Sequence, residues 1–90
     1  MVRIKVYSTP ACPYCRMVKK FLKEKGVEFE DVDISYDEEA VREMFQKSGR
    51  FDVPQTEING KMIIGFDKKA LEEELRKTIP KLMKITEPDG

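Results

Sequence analysis

Two cysteines lie where a strand pattern gives way to a helix pattern. Cys12 and Cys15 are the only cysteines among the 90 residues of the chain. Before them, apolar residues alternate at Val2, Ile4 and Val6, which predicts a β-strand. After them, apolar residues recur with helical spacing as far as about Lys25, at Tyr14, Met17, Val18, Phe21 and Leu22. A Cys-x-x-Cys pair at such a junction is typical of redox-active thiols.

The helix position of each cysteine predicts a different role for each. Pro13 suits the first helical position, because its missing N–H would have no partner there anyway. Cys12 is then at the helix N-terminus, where unpaired N–H groups and the helix dipole stabilise a thiolate. Cys15 lies one turn further along, within disulfide reach, and is expected to be more buried than Cys12. We therefore predict that Cys12 is the nucleophile and Cys15 the resolving cysteine.

Two structural interpretations compete with redox chemistry. A structural disulfide between these cysteines would close a very short loop, and loop-closure stabilisation grows with loop length. A zinc site needs about four Cys, His or carboxylate ligands, and the chain has no histidine and no second cysteine pair. Redox chemistry is thus the favoured interpretation, and we predict no metal site.

The composition indicates which partners and which cellular compartment to expect. The chain has 17 Lys and Arg and 17 Asp and Glu residues, so its net charge is zero. This balance argues against nucleic acid or an anionic membrane as the main partner. The sequence has neither the apolar core of a signal peptide nor a stretch that could span a bilayer. We expect a cytoplasmic monomer, and in the cytosol a cysteine pair is more often catalytic than structural.

The remaining patterns predict the order β-α-β-α-β-β-α. After the first helix we expect strands at 27–34, 55–58 and 61–64 and helices at 36–48 and 68–78. Ser35 with Glu38 forms a capping-box pattern, and Asp67 is the expected N-cap of the last helix. The acidic second strand suits a sheet edge. We predict an α/β fold with a four-stranded mixed sheet flanked by helices, one domain at 1–80, and a partly disordered extension at 81–90.

The motifs resemble those of glutaredoxins, a family of the thioredoxin superfamily. The resemblance covers roughly residues 3–79, and its specific parts are Cys12-Pro13-Tyr14-Cys15, Ser48-Gly49-Arg50 and Val53-Pro54-Gln55. It implies a thioredoxin-like fold in which Pro54 is cis and faces the cysteines. It also implies that Val53 presents backbone groups to a substrate, as in strand addition.

The same resemblance implies an activity. Glutaredoxins are thiol–disulfide oxidoreductases of electron transport and cell redox homeostasis, which reduce protein and glutathione mixed disulfides. Expected partners are disulfide-containing proteins, of which ribonucleotide reductase is one candidate. The expected electron donor is glutathione or thioredoxin reductase. No cofactor is expected to bind tightly, and glutathione is a co-substrate. The alternative is an iron–sulfur carrier, which would have to be a glutathione-bridged dimer because one chain supplies too few thiolates; Pro13 and Tyr14 argue against it.

The resemblance also outlines a glutathione groove. Its expected lining is Cys12, Pro13, Tyr14, Val53, Pro54 and the turn Gly65-Phe66-Asp67, with Arg16, Arg50 or Gln55 on an anionic group. The other lysines of the first helix, Lys19, Lys20 and Lys23, are expected to be solvated. Two features depart from glutathione-using relatives: the Gly-Gly-x-Asp motif lacks one glycine here, and Thr9 replaces a common lysine. Since Asp67 would also cap the last helix, we expect weak glutathione binding and a protein reductase as the better donor.

Overall fold

A mixed four-stranded sheet forms the centre of the molecule. The computed structural model describes residues 4–78. The strands are β1 (Ile4–Ser8), β2 (Glu30–Asp33), β3 (Gln55–Ile58) and β4 (Lys61–Ile64), and they lie in the order β2-β1-β3-β4. β1 pairs parallel with β2 and antiparallel with β3, which pairs antiparallel with β4. The predicted sheet is confirmed, with the acidic strand β2 at its edge.

Within residues 4–78, three helices cover the sheet: α1 (Pro13–Glu24), α2 (Glu38–Ser48) and α3 (Lys68–Thr78). The order β-α-β-α-β-β-α is therefore as predicted, and the fold is thioredoxin-like. The predicted domain boundary at 80 and the extension at 81–90 lie outside the described residues. So does Val2, the first residue of the predicted strand pattern.

Successive residues of β1 face opposite sides of the sheet, as the pleat requires. Val6 belongs to the main core, which α1 and α3 close; its buried members are Ile4, Val6, Val18, Phe21, Leu22, Ile58, Ile63, Leu71 and Leu75. Tyr7 is fully buried too, and its hydroxyl donates to Glu43 Oε2 of α2 at 3.0 Å. Burial raises the pKa of Tyr7 to about 12.

The start of α2 differs from the prediction. Asp37, not Ser35, is the N-cap, and its Oδ1 accepts the Ala40 N–H at 3.1 Å. The Ser35 N–H instead donates to Asp33 Oδ1 at 2.9 Å, which forms a turn just before the helix. The predicted capping box is therefore wrong, and the helix begins at Glu38 rather than Tyr36.

Strand β2 is shorter than the predicted 27–34. The Val27 N–H donates to Leu22 O at 3.1 Å, so this end of the segment completes α1 instead of the sheet. Val27 and Phe29 still pack against the core from outside the strand. The predicted hairpin is confirmed: Asn59 and Gly60 both have positive φ, 51° and 96°, as a two-residue hairpin turn favours.

Not every residue of the predicted apolar faces is buried. In α1 the buried side runs through Cys15, Val18 and Leu22, which turns Tyr14 and Met17 to solvent. Tyr14 is 59% exposed, and it lies next to the cysteine pair. In α2, Ala40 and Met44 are buried as predicted, while Phe45 is exposed.

Candidate functional site

The cysteine pair lies at the N-terminus of α1. Cys12 is the N-cap residue, with an extended backbone, and Pro13 follows as the first helical residue. The Cys12 Sγ accepts the backbone N–H of Cys15 at 3.3 Å. The sulfur therefore occupies the position of a capping oxygen and receives one of the unpaired N–H donors of the helix.

The two thiols differ in exposure. Both cysteines are free; Cys12 is half-buried, whereas Cys15 has 0% of its surface exposed. Burial raises the pKa of the Cys15 thiol to about 11, and the neighbouring Cys12 thiol adds to this rise. The Thr9 backbone and the positive charge of Lys19 oppose it. Cys15 thus remains protonated at neutral pH in the reduced protein, and only Cys12 is accessible from outside.

A proline loop faces the pair, as the resemblance implied. The Val53–Pro54 peptide bond is cis, and Pro54 is fully buried. The Cys12 thiol approaches Val53 O, with an Sγ–O distance of 3.9 Å. The Pro54 carbonyl in turn accepts the Gly65 N–H at 2.8 Å. These contacts bring the cysteines, the cis-proline and the turn before α3 to one end of the sheet.

Residues 50–53 precede the cis-proline, and the side chain of Gln55 hydrogen-bonds to their backbone. The Gln55 side chain is fully buried, and its Nε2 donates to Arg50 O at 2.9 Å and to Asp52 O at 2.8 Å. The expectation that Gln55 contacts an anionic ligand assumed an exposed side chain, which the structure does not have. Arg50 is exposed, but its guanidinium is engaged by Asp52 at 3.2 and 3.1 Å.

The turn before α3 holds the other expected groove residues. The Phe66 ring packs edge-on against Phe21 at 6.1 Å and borders the core. Asp67 Oδ1 accepts the Ala70 N–H at 3.1 Å, which confirms that Asp67 caps α3. The role of this turn in binding glutathione stays a prediction.

The lysines of α1 do not form a uniformly solvated face. Arg16, Lys20 and Lys23 are exposed, and Arg16 donates to Pro10 O at 3.4 Å rather than to Cys12. Lys19 instead turns toward the sheet, where its Nζ lies 3.0 Å from Asp31 Oδ2 and 3.4 Å from Ser8 Oγ. The sequence carried one signal for this difference: Lys19 is four residues after Cys15, on the same side of the helix.

The structure also has an apolar cavity that was not predicted from the sequence. It has a volume of about 630 Å³ and lies between the segment before α2 and the loop that precedes the cis-proline. Tyr36, Phe45 and Phe51 line it, and the last two rings stack at 4.3 Å. Phe51 is 62% exposed. No periodic pattern predicts this cavity, because its lining comes from segments that are separate in the sequence.

Metal ligands and membrane-spanning segments concern residues 4–78, the range that the structure describes. In that range there is no group of three or more His, Cys, Asp or Glu side chains that could hold a metal ion. None of the helices described is both long and apolar enough to cross a bilayer.

Known proteins resemble this chain in sequence and in fold. The family model described as Glutaredoxin matches residues 4–63. The chain belongs to the glutaredoxin family. A glutaredoxin-like 8.6 kDa protein from the rubredoxin operon of Clostridium pasteurianum is 39% identical over 74 residues, which cover 82% of this chain and 99% of that protein. Glutaredoxin 3 of Escherichia coli K12 is 37% identical over 67 residues, 74% of this chain and 81% of the relative.

Solved structures agree with the family assignment. The crystal structure of the glutaredoxin from Archaeoglobus fulgidus matches with a TM-score of 0.78 at 27% identity, covering 84% of this chain and 88% of that one. The chain is thus a glutaredoxin-family thiol redox protein of the thioredoxin superfamily.

Proposed function

We propose that this glutaredoxin is a dithiol–disulfide oxidoreductase that reduces disulfides of proteins and of glutathione adducts. The observation that carries the proposal is the unequal exposure of one thiol pair. Cys12 is accessible at a helix N-terminus, while Cys15 is buried 3.3 Å away, measured from its backbone N to Cys12 Sγ. An accessible sulfur can meet a bulky disulfide, and a buried one is reserved for the intramolecular step.

The reaction has two exchanges. The Cys12 thiolate attacks a substrate disulfide, a Cys12–substrate bond forms, and the first substrate sulfur leaves as a thiolate. The Cys15 thiol then loses its proton and attacks Cys12 Sγ. The substrate sulfur leaves with the electron pair and takes up a proton, so the substrate is reduced and the Cys12–Cys15 pair is oxidised. An external donor restores the two thiols.

The cis-proline loop supports the docking of a substrate backbone. The Val53 carbonyl lies beside the Cys12 sulfur, so an extended substrate segment could pair with this loop edge while its disulfide reaches Cys12. Pro13 and Tyr14, which lie between the two cysteines in the sequence, are both exposed. Such a site needs only a short extended segment, which fits both a protein loop and glutathione.

We further propose weak glutathione binding, with a protein reductase such as thioredoxin reductase as the better donor. Asp67 Oδ1 accepts a hydrogen bond from one of the N–H groups at the start of α3. Its carboxylate therefore lies where a ligand carboxylate would bind. Arg50, the cation nearest this loop in sequence, is engaged by Asp52. We place the activity in the cytoplasm and expect a monomer, with ribonucleotide reductase as one possible protein substrate.

The iron–sulfur alternative receives less support. A [2Fe–2S] cluster needs four thiolates, and this chain exposes one cysteine. Its remaining ligands would have to come from glutathione and a second chain, so we propose the disulfide reaction as the function.

Two cysteine variants test the mechanism. Cys12→Ser should abolish reduction of every disulfide, because no other exposed thiol remains in the chain. Cys15→Ser should still form a mixed disulfide at Cys12 but fail to release a protein substrate, and mass spectrometry after alkylation detects the trapped adduct. Activity of Cys12→Ser equal to that of the parent would overturn the mechanism.

The donor is tested separately. One oxidised sample is reduced either by glutathione with glutathione reductase or by NADPH with thioredoxin reductase, and NADPH consumption is measured. We expect the second system to be faster. Saturable turnover at low glutathione concentration, with none by thioredoxin reductase, would contradict weak glutathione use while leaving the disulfide mechanism intact.

A further inference from the structure

Lys19 is the one lysine of α1 that contacts the sheet next to the buried cysteine. Its side chain is 22% exposed, and its Nζ lies 3.0 Å from Asp31 Oδ2 and 3.4 Å from Ser8 Oγ. The Ser8 hydroxyl donates to the other oxygen, Asp31 Oδ1, at 3.0 Å. These three residues form a closed triangle between α1, β1 and β2, which we call the Lys19 triangle.

The Lys19 triangle adjoins Cys15. Lys19 follows Cys15 by four residues, which places both side chains on one side of α1. Both also reach the same end of β1: Lys19 contacts Ser8, and the backbone of Thr9 lies beside the Cys15 thiol. Ser8 is 1% exposed and Cys15 0% exposed, so solvent screens little between them.

The resolving step needs a positive charge close to the buried Cys15. Cys15 must become a thiolate in a buried position, and burial disfavours a charged sulfur. The titratable groups that act on Cys15 are Cys12, the N-cap of α1, and Lys19. Lys19 in turn contacts Asp31 and acts on the nearby Asp33, both on β2. Once Cys12 is in a mixed disulfide its sulfur is neutral, and Lys19 is the one cation among these groups.

We propose that Lys19, held by Asp31 and Ser8, is a positioning residue that stabilises the Cys15 thiolate during its attack on the mixed disulfide. This inference rests on the proposed two-step function and assigns Lys19 to its second step. The proton of Cys15 leaves to solvent, the Cys15–Cys12 bond forms, and the substrate sulfur departs with its electron pair. Lys19 exchanges no proton and forms no bond to sulfur; its charge acts through space.

The test separates the two exchanges. Reduced protein is mixed with an aromatic disulfide, dithiobisnitrobenzoate, whose halves absorb light when released. The first half leaves when Cys12 reacts, and the second leaves when Cys15 displaces it. Stopped-flow absorbance across a pH series then gives a rate and a pH midpoint for each step.

Lys19→Gln should slow the second release about threefold to tenfold at neutral pH, because a less stabilised thiolate is scarcer, although more nucleophilic. The pH midpoint of that step should rise, and the first release should be unchanged. Lys19→Arg, which keeps the charge, should retain the parent profile. Lys20→Gln is the matched control, since Lys20 is the adjacent residue on α1 and is exposed.

Three outcomes decide between the possibilities. A second release in Lys19→Gln with the parent rate and midpoint would overturn the inference and leave the proposed function standing. An equal slowing of both steps, or a slowing without a shifted midpoint, would show that Lys19 only holds α1 in place, and would overturn it as well. Absence of any Cys12-dependent first release in the parent would instead refute the proposed function.

Discussion

Glu43 should make a measurable, pH-dependent contribution to stability. Its Oε2 accepts hydrogen bonds from Lys47 Nζ at 2.9 Å, Tyr7 OH at 3.0 Å and Lys5 Nζ at 3.1 Å. Lys47 Nζ also donates to Glu57 Oε1 at 2.7 Å. The carboxylate therefore joins α2 to β1 and, through Lys47, to β3.

The size of the effect follows from the lowered pKa of Glu43. Hydrogen bonds from Lys47, Lys5 and Tyr7 lower this pKa from 4.5 to about 2, against the opposing effect of burial. Taken at about 1.4 kcal/mol per pKa unit, this lowering by about 2.5 corresponds to about 3.5 kcal/mol before solvent screening. The side chain is 42% exposed, however, so solvent screening reduces the expected contribution to about 1 kcal/mol.

The sign of the pH dependence follows from the same values. A carboxylate whose pKa is lower in the folded state stabilises the protein fully above its unfolded pKa, here 4.5. That stabilisation is lost as the pH falls through the folded value of about 2. Removing the charge should therefore matter at neutral pH and cease to matter in strong acid.

Urea unfolding of the parent and of Glu43→Gln across this pH range is the assay. At neutral pH the variant should be less stable by about 1 kcal/mol, which lowers Tm by about 4–8 °C in a domain of this size. The slope of the unfolding free energy against urea concentration should be unchanged. Glu73→Gln, which removes an exposed glutamate in the middle of α3, is the control and should have little effect. A difference that stays constant as the pH falls to about 2 would refute the electrostatic reasoning.

Two further substitutions probe the loop and the turn around the site. Gln55→Glu should destabilise the protein by about 2–4 kcal/mol at neutral pH, because a buried carboxylate would face the Arg50 and Asp52 carbonyls that Gln55 Nε2 now contacts. This loss should shrink in acid, where the carboxyl is protonated; equal losses at neutral and acid pH in urea unfolding would contradict the argument. Asp67→Ala should cost about 0.5–2 kcal/mol by removing the N-cap of α3, and Asp67→Asn, which retains a capping oxygen, should recover most of it. Equal thermal stability of all three proteins would show that the cap contributes nothing.

Much of the fold could be predicted from short-range patterns. Alternating apolar residues located β1, and Asn59-Gly60 located the hairpin that joins β3 to β4. The start of α2 was predicted wrongly because Ser35 and Asp37 are both good capping residues, and their competition is decided by the turn that Asp33 forms with the Ser35 N–H. A sequence motif alone does not rank two such candidates.

The candidate site was predicted less completely. The cysteine pair and the cis-proline were recognised from local motifs, and the structure places Cys12 against Val53. The expected exposure of Gln55 was not found, because its amide is needed to pair the loop carbonyls above it. The turn of Lys19 toward β2 was not predicted either: the four-residue spacing from Cys15 places Lys19 on the buried side of α1, but it does not identify Asp31 and Ser8 as its partners.

The sequence by itself determined the family, the order of the elements and the thiol pair at the start of α1. Each of these depends on residues a few positions apart, whose spacing has a direct geometric meaning. The sequence also indicated that Cys15 is more buried than Cys12, which the structure bears out. Only the tertiary structure decided that Cys12 lies against Val53 and that Lys19 closes a triangle with Asp31 and Ser8. Burial and long-range contacts depend on how distant segments pack: Cys12 meets Val53 across 41 positions of the chain, and no local pattern encodes that approach.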